Sequence, residues 1–140
     1  MKVIDVEEVL IFHKKIIEQT GGLNGVRDIG LIESALKQAF STFDGQDLYK
    51  EAEDKISVIT YGLIKNHGFV DGNKRLGVAV LLLLLRMNDI NIKYTQEELV
   101  KFGLDISNGK LNENGIKQWI KETMFAKDTM NKASIKPYFY

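Results

Sequence analysis

The chain has 140 residues, the size of one domain, and its composition of 44% hydrophobic and 27% charged residues is ordinary for a soluble globular protein. Its 19 Lys and Arg balance its 19 Asp and Glu, which disfavours a direct nucleic-acid binder and leads us to expect a protein partner. The absence of cysteine excludes disulfides, thiolate nucleophiles and cysteine metal sites.

The sequence also bears on where the protein acts. Its first eight residues are acidic early and contain no apolar signal core. The apolar run at 78–85 is much shorter than the ~20 residues that a membrane-spanning helix needs. We therefore expect a cytoplasmic protein with no membrane partner.

Hydrophobic spacing predicts helices along most of the chain. Gly21-Gly22 ends the first helix, Asp28 is a candidate N-cap for the second, and Gly68 is a candidate stop for the third. Thr95 opens the fifth with capping-box spacing, after a brief extended piece at 91–94. The predicted helices cover residues 6–18, 28–40, 49–66, 73–87, 95–108 and 112–125.

The fourth predicted helix is the expected centre of the fold. Leu76 to Leu85 contains no charged or polar side chain, so the helix is apolar around its whole circumference. A helix of this kind packs against neighbours on all sides. We predict an all-α, single-domain bundle of about six helices that spans residues 1–125, followed by a C-terminal tail at 126–140.

The loop before this helix carries the main functional signal. It reads His67-Gly68-Phe69-Val70-Asp71-Gly72-Asn73-Lys74-Arg75, and it places two cations in the first turn of a buried helix. That end of a helix is already positive, so an anion is expected to compensate. Free N–H groups and the absence of a side chain at Gly72 suit an anion that approaches the backbone closely. The pattern predicts a phosphate-binding loop.

Two further residues of the loop favour phosphate transfer. Asp71 is its one acid, and a carboxylate beside phosphates is a usual ligand of Mg²⁺. His67 supplies an imidazole that can accept a proton near neutral pH. Each residue also fits a structural role, since Asp-Gly-Asn is a common turn and His67-Gly68 could end a helix. That alternative does not explain the two cations.

The same nine residues resemble the signature of the Fic/Doc superfamily, H-x-F-x-[D/E]-[G/A]-N-[G/K]-R, at every fixed position. Lys74 makes the stretch similar to the death-on-curing (Doc) branch. The segment 21–36 also resembles the amino-terminal region of Doc proteins, so the similarity covers most of residues 1–125.

The resemblance implies a role for each residue of the motif. His67 would be the general base that takes the proton from a target hydroxyl, and Asp71 would hold Mg²⁺. Arg75 would neutralise a phosphate in the transition state, and Phe69 would anchor the loop to the core. The phosphate-binding residues would be Gly72, Asn73, Lys74 and Arg75.

Departures from the adenylylating pattern G-N-G-R-x-x-R favour a kinase. Lys74 replaces the second glycine of that pattern, and Val78 stands where its second arginine would be. A lysine side chain would intrude on the inner phosphates, and in the Doc branch the nucleotide is thought to bind reversed, with its γ-phosphate facing the histidine. Gly72, where the Doc pattern carries alanine, restores one feature of the AMP transferases.

The resemblance therefore implies the toxin of a toxin–antitoxin pair. It would transfer the γ-phosphate of ATP to a Ser or Thr hydroxyl of a cytoplasmic translation factor, such as elongation factor Tu. The alternatives are AMP transfer at the same site and a catalytically inactive binding module. No match to the inhibitory pattern [S/T]-x-x-x-E-[G/N] is found, which implies inhibition in trans by a small antitoxin that folds across the active-site groove.

Several other positions allow more than one interpretation. The loop 41–48 is either a plain surface connection or the flap that aligns the target. Arg27 could pair with Asp28 or reach the nucleotide. We predict His13 as a surface residue, because no partner at ligand spacing accompanies it, and Trp119 as a core residue.

Overall fold

The protein is described by a computed structural model that places residues 1–125; the predicted tail at 126–140 lies outside the described residues. Within 1–125 six α-helices and one small hairpin form a single bundle, which confirms the all-α prediction. The elements are α1 (Val6–Thr20), α2 (Ile29–Gln38), β1 (Thr42–Phe43), β2 (Gln46–Asp47), α3 (Ala52–Lys65), α4 (Asn73–Met87), α5 (Gln96–Ser107) and α6 (Glu113–Thr123).

Helix α4 is the buried centre of the bundle, as predicted. Leu76, Leu81 and Leu84 are each fully buried on it. Its closest neighbour is α3, and the approach depends on Gly77, where a Cβ would lie 2.3 Å from Ile64 Cγ1. The apolar run of α4 therefore fixes the position of its own N-terminus, and with it the loop 67–75.

Polar side chains set most helix starts. Asp5 forms a capping box with Glu8 on α1, and Asn112 accepts a hydrogen bond from Gly115 N–H on α6. Asp28 caps α2 by accepting from Gly30 N–H, which confirms its predicted role. Thr95 accepts from the Glu98 N–H at the start of α5. Local sequence signals are sufficient at these ends because each cap contacts residues two or three positions away.

The end of α3 differs from the prediction. The helix stops at Lys65 with Asn66 as its C-cap, so Gly68 is not its terminating residue. His67, and not the glycine, adopts a left-handed backbone with φ 52°. This conformation is uncommon for a non-glycine residue, and it turns the chain out of the helix toward the loop.

The loop 41–48 forms an antiparallel hairpin, in which Thr42 pairs with Asp47 and Phe43 with Gln46. Asp44 and Gly45 both have positive φ, the pattern of a tight two-residue hairpin turn. Buried Lys55 on α3 holds the hairpin by donating to the Tyr49 carbonyl and pairing with Asp47.

Two further sequence predictions concern the extended piece at 91–94 and the tryptophan of α6. Ile92 forms an isolated antiparallel bridge with Met124 and is buried, so the extended prediction holds at that residue. Trp119 is only partly buried: it packs at the edge of the core and stacks on Phe102 at 4.0 Å between ring centroids.

No helix among residues 1–125 is both long enough and apolar enough to cross a bilayer.

Candidate active site

A cavity of about 640 Å³ opens at the N-terminal end of α4. The loop 67–75 forms one wall, and the C-terminal end of α1 forms another. Six of the seven predicted site residues line this cavity, and the seventh, Phe69, is buried beneath it at 2% exposure. The six are His67, Asp71, Gly72, Asn73, Lys74 and Arg75.

Phe69 and Asn73 give the loop its rigid base. Asn73 Nδ2 donates to the Phe69 carbonyl and Asn73 Oδ1 accepts from the Phe69 N–H, both at 3.0 Å. The Asn73 side chain is buried and both its polar atoms are used inside the loop. A role for Asn73 in phosphate binding therefore falls to its backbone N–H and not to its side chain.

Gly72 shapes the start of α4. It has φ 77° and ψ 15°, the left-handed region that favours glycine, and an added Cβ would lie 3.0 Å from Ile17 Cδ1. The first intrahelical hydrogen bond of α4 runs from Leu76 N–H to the Gly72 carbonyl at 2.9 Å. The N–H groups of a helix's first turn lie at its positive end, the arrangement that binds anions.

Asp71 is held as an ionised carboxylate beside these groups. Its Oδ2 accepts from Leu23 N–H at 3.1 Å, and its Oδ1 accepts from Gly72 N–H at 2.8 Å. The bond from Leu23 and then that from Gly72 hold the pKa of Asp71 below its ordinary value of 3.8. It is the one carboxylate among the described residues that line the cavity.

The donor set suits a partly protein-bound Mg²⁺. Within 1–125 no group of three or more His, Cys, Asp or Glu side chains could form an all-protein metal cage. A carboxylate has about four lone-pair positions, so Asp71 keeps acceptor capacity after its two N–H bonds. Mg²⁺ commonly takes one or two carboxylates and completes its shell with phosphate oxygens and water. Asp71 fits that pattern.

The two cations of the motif differ in their surroundings. Arg75 donates to Thr20 Oγ1, to the Gly21 carbonyl at 2.8 Å, and lies 3.7 Å from Asp71 Oδ1. Part of the anionic compensation expected for Arg75 therefore comes from the Asp71 carboxylate, and α1 supplies two further acceptors. Burial lowers the pKa of Lys74, and the Arg75 charge lowers it further. A bound anion at this position would favour the charged form of Lys74.

His67 lies exposed at the edge of the cavity, and its backbone is fixed from the segment 25–28. Arg27 Nε donates to the His67 carbonyl at 2.6 Å, and Arg27 Nη2 donates to the Asn66 carbonyl at 3.1 Å. The N–H groups of Arg27 and Asp28 both donate to the Gly68 carbonyl. Arg27 thus supports the backbone of His67 and does not line the cavity, so neither predicted role is observed.

His13 was predicted to lie on the surface, and this is wrong. The side chain is 1% exposed, and its ring stacks on Phe69 with centroids 3.7 Å apart and planes 13° from parallel. Its Nε2 lies 2.7 Å from the Asp71 carbonyl oxygen. One signal could have placed it correctly: His13 is four residues from both Val9 and Ile17, on the apolar face of α1.

Comparison with known proteins identifies the family of this chain. Residues 3–85 match the Fic/DOC family profile. The chain is 36% identical to Toxin Doc of Mycolicibacterium smegmatis over 72 residues, covering 51% of this chain and 55% of that protein. It is 27% identical to Protein kinase doc of Escherichia phage P1 over 119 residues, covering 83% and 90% respectively. The first match spans about half of the relative's length. The chain belongs to the Fic/DOC family, in its death-on-curing branch.

Proposed function

We propose that this protein is a Doc-like toxin that transfers the γ-phosphate of ATP to a Ser or Thr hydroxyl of a cytoplasmic protein. The observation that carries the proposal is the composition of one cavity wall. An exposed imidazole, an ionised carboxylate, two cations and a helix N-terminus converge there within nine residues. Phosphoryl transfer needs mainly positioning and charge stabilisation from a protein, and these groups provide both.

The nucleotide phosphates would lie against the N-terminus of α4. Backbone N–H groups in the first turn of α4, beginning with that of Asn73, and the Lys74 ammonium would donate to phosphate oxygens. Arg75 would contribute a positive potential while remaining tied to α1. Asp71 would hold Mg²⁺ together with phosphate and water oxygens, and the bound ion would neutralise charge on the transferring group.

His67 would act as the general base. Its imidazole would accept the proton of the target hydroxyl as the hydroxyl oxygen forms a bond to the γ-phosphorus. The bond from that phosphorus to the bridging oxygen breaks, and ADP leaves with the electron pair. The φ of 52° at His67 and the bonds from Arg27 fix the backbone that carries the imidazole at the cavity edge, where a protein substrate would have access.

The residues around the phosphates favour kinase chemistry over AMP transfer. Lys74 lines the cavity at the position where AMP transferases carry a glycine. Val78, where they carry a second arginine, is fully buried in the core and adds no charge to the site. AMP transfer remains the second candidate because Gly72 is shared with the adenylylating pattern, and an inactive binding module is the third.

The partners follow from the same proposal. The target would be a translation factor such as elongation factor Tu, aligned along the hairpin formed by β1 and β2. Phe43 is 75% exposed on that hairpin and offers an apolar contact. A small antitoxin would inhibit the toxin by folding across the groove beside His67. The names of the two relatives, Toxin Doc and Protein kinase doc, support a toxin of a toxin–antitoxin pair that acts as a kinase.

Intact-mass spectrometry tests the proposal. Purified translation factors are incubated with the protein, Mg²⁺ and ATP, beside His67→Ala and, as a control, Arg86→Ala at the exposed end of α4. We expect one phosphate to be added by the wild type and by Arg86→Ala, but not by His67→Ala. Addition of AMP in place of phosphate would identify the protein as an AMP transferase and contradict the kinase proposal. Equal modification by His67→Ala would contradict the role of the imidazole.

A further inference from the structure

One face of α1 is built to contact the loop 67–75. His13, Ile17 and Thr20 are spaced four and three residues apart, which places them on one side of the helix. His13 contacts Phe69 and Asp71, Ile17 lies against Gly72, and Thr20 accepts from Arg75. The loop therefore depends on a helix that lies some fifty or more residues earlier in the chain.

The hydrogen bond from His13 has a defined direction. A carbonyl oxygen only accepts, so the proton lies on Nε2, which donates to the Asp71 carbonyl at 2.7 Å. The imidazole is buried and stacked on Phe69, so it has little freedom to turn away. The contact thus fixes the Asp71 carbonyl in one orientation.

That carbonyl shares a peptide plane with the Gly72 N–H. The C=O of Asp71 and the N–H of Gly72 belong to one rigid unit, so turning one turns the other. The Gly72 N–H donates to Asp71 Oδ1 at 2.8 Å. By holding the carbonyl, His13 therefore also holds the N–H that orients the carboxylate. Gly72 has no side chain to resist rotation of this plane, so the restraint must come from another residue.

We propose that His13 is a positioning residue for the Asp71 carboxylate, acting through the peptide plane between Asp71 and Gly72. The inference rests on the proposed function, in which this carboxylate holds Mg²⁺ against the nucleotide. His13 itself touches neither the phosphates nor the target hydroxyl. Its contribution is the donated hydrogen bond, and the stacking on Phe69 keeps that donor in place.

Three substitutions separate the donor from the packing. His13→Phe keeps a flat ring against Phe69 and removes the donor. His13→Gln places an amide nitrogen near the position of Nε2 and restores the donor. His13→Asn is polar but shorter, so its amide falls short of the carbonyl. If His13→Phe does not fold, the comparison of His13→Asn with His13→Gln serves in its place.

The first readout is kinetic. For His13→Phe we expect the Mg²⁺ concentration at half-maximal phosphate transfer to rise at least tenfold, together with the KM for ATP. His13→Gln should recover most of this loss. A His13→Phe variant within twofold of the wild type would overturn the proposal. So would a His13→Gln variant as impaired as His13→Phe, because restoring the donor would then not restore phosphate transfer.

The second readout does not need nucleotide or activity. Amide hydrogen exchange is measured at Gly72 and Leu23, whose N–H groups bond the Asp71 carboxylate, with Leu81 in the core as reference. We expect both loop amides to exchange at least tenfold faster in His13→Phe, and near the wild-type rate in His13→Gln, with Leu81 unchanged. Unchanged loop amides would contradict the positioning role. If the variants show the expected exchange pattern but the wild type binds no nucleotide, the proposed function is refuted while the positioning role of His13 stands.

Discussion

Two regions of the molecule are held by different kinds of interaction. One is the contact between helices α3 and α4, and the other is the loop 67–75. In the helical contact, apolar side chains pack around Gly77, where the backbone comes close to Ile64. In the loop, most restraints are hydrogen bonds from distant residues, including His13, Leu23 and Arg27. The free energy of unfolding and the geometry of the site should therefore respond to different substitutions.

The difference has a physical basis. Burial of apolar surface is non-directional and contributes most of the stability, so the core tolerates small rotations but not added volume. Hydrogen bonds contribute less net stability but require defined angles and distances. The core positions α4, and the hydrogen bonds orient the groups at its N-terminus.

The largest change in stability is expected for Gly77→Ala. The added Cβ would lie 2.3 Å from Ile64 Cγ1, so α3 and α4 must move apart. Overpacking of this kind typically costs about 1–3 kcal/mol in the free energy of unfolding, measured by urea denaturation. Gly115→Ala on α6 is the control, because the one atom closer to its Cβ than ordinary contact would be Leu111 Cδ2, the end of a side chain that can rotate. A stable Gly77→Ala variant would show that the contact is looser than described.

Gly22→Ala should change ligand binding more than stability. Gly22 has φ 115°, and its Cβ would lie 2.6 Å from Asp71 Oδ2, displacing the carboxylate. We expect at least a tenfold loss of ATP affinity in the presence of Mg²⁺, measured by calorimetry. Gly21→Ala is the matched control, because Gly21 has φ 85° and a Cβ added there would have no atom within 4 Å. Equal losses in both variants would mean that backbone strain, and not displacement of Asp71, is the cause.

Arg27→Met should impair turnover with a smaller effect on nucleotide binding. The substitution removes two hydrogen bonds to the carbonyls of Asn66 and His67, so the imidazole loses its support. We expect kcat for phosphate transfer to fall about five- to tenfold while the KM for ATP changes less than twofold. Arg27→Lys should recover only part of the lost kcat, since lysine lacks the two-pronged donor geometry of arginine. An unchanged kcat would remove Arg27 from the account of the site.

The smallest effect is expected for Lys117→Gln. Lys117 pairs with Asp54 at 2.7 Å and Glu51 at 3.1 Å between α6 and α3, in a partly exposed position. Bonds from Lys117 and then Lys121 lower the pKa of Glu51 from its ordinary value of 4.5. The ion pairs of Glu51 therefore stabilise the fold at a pH above 4.5, and this stabilisation is lost as the pH falls through the lowered pKa of Glu51. Near pH 7 the melting temperature of Lys117→Gln should be slightly lower than that of the wild type, and the difference should vanish in high salt. A difference that persists in about 1 M salt would show that Lys117 stabilises the fold by packing.

Much of the fold follows from local patterns in the sequence. Asp28 is a recognisable N-cap because it bonds a residue two positions away, and the run from Leu76 to Leu85 marks the central helix without any tertiary information. The candidate site is recognisable for the same reason, since its main residues lie within nine consecutive positions. The hairpin at 42–47 is not among the interpretations given for the loop 41–48, although Asp44-Gly45 is a turn pair with a known preference for hairpins.

The sequence could not predict contacts between distant segments. His13 meets Asp71 across 58 positions, and nothing around His13 in sequence indicates that partner. For Arg27 the sequence offers a pairing with Asp28 or a contact with the nucleotide, but not the bonds to the carbonyls of Asn66 and His67, which depend on the left-handed turn at His67. The acceptors that α1 offers to Arg75 were missed in the same way. These restraints determine the geometry of the site and require the fold to be known.

The most direct test of the account is an NMR titration of the ¹⁵N-labelled protein with ATP and Mg²⁺. If the loop 67–75 binds the phosphates, amide shifts should change at 67–75 and at 20–23, whose N–H and carbonyl groups contact Asp71 and Arg75. Residues of α6 should remain unchanged. Saturable shifts confined to another surface, such as the groove formed by 30–41, or no shifts at millimolar ATP, would contradict the assignment of this loop as the nucleotide site.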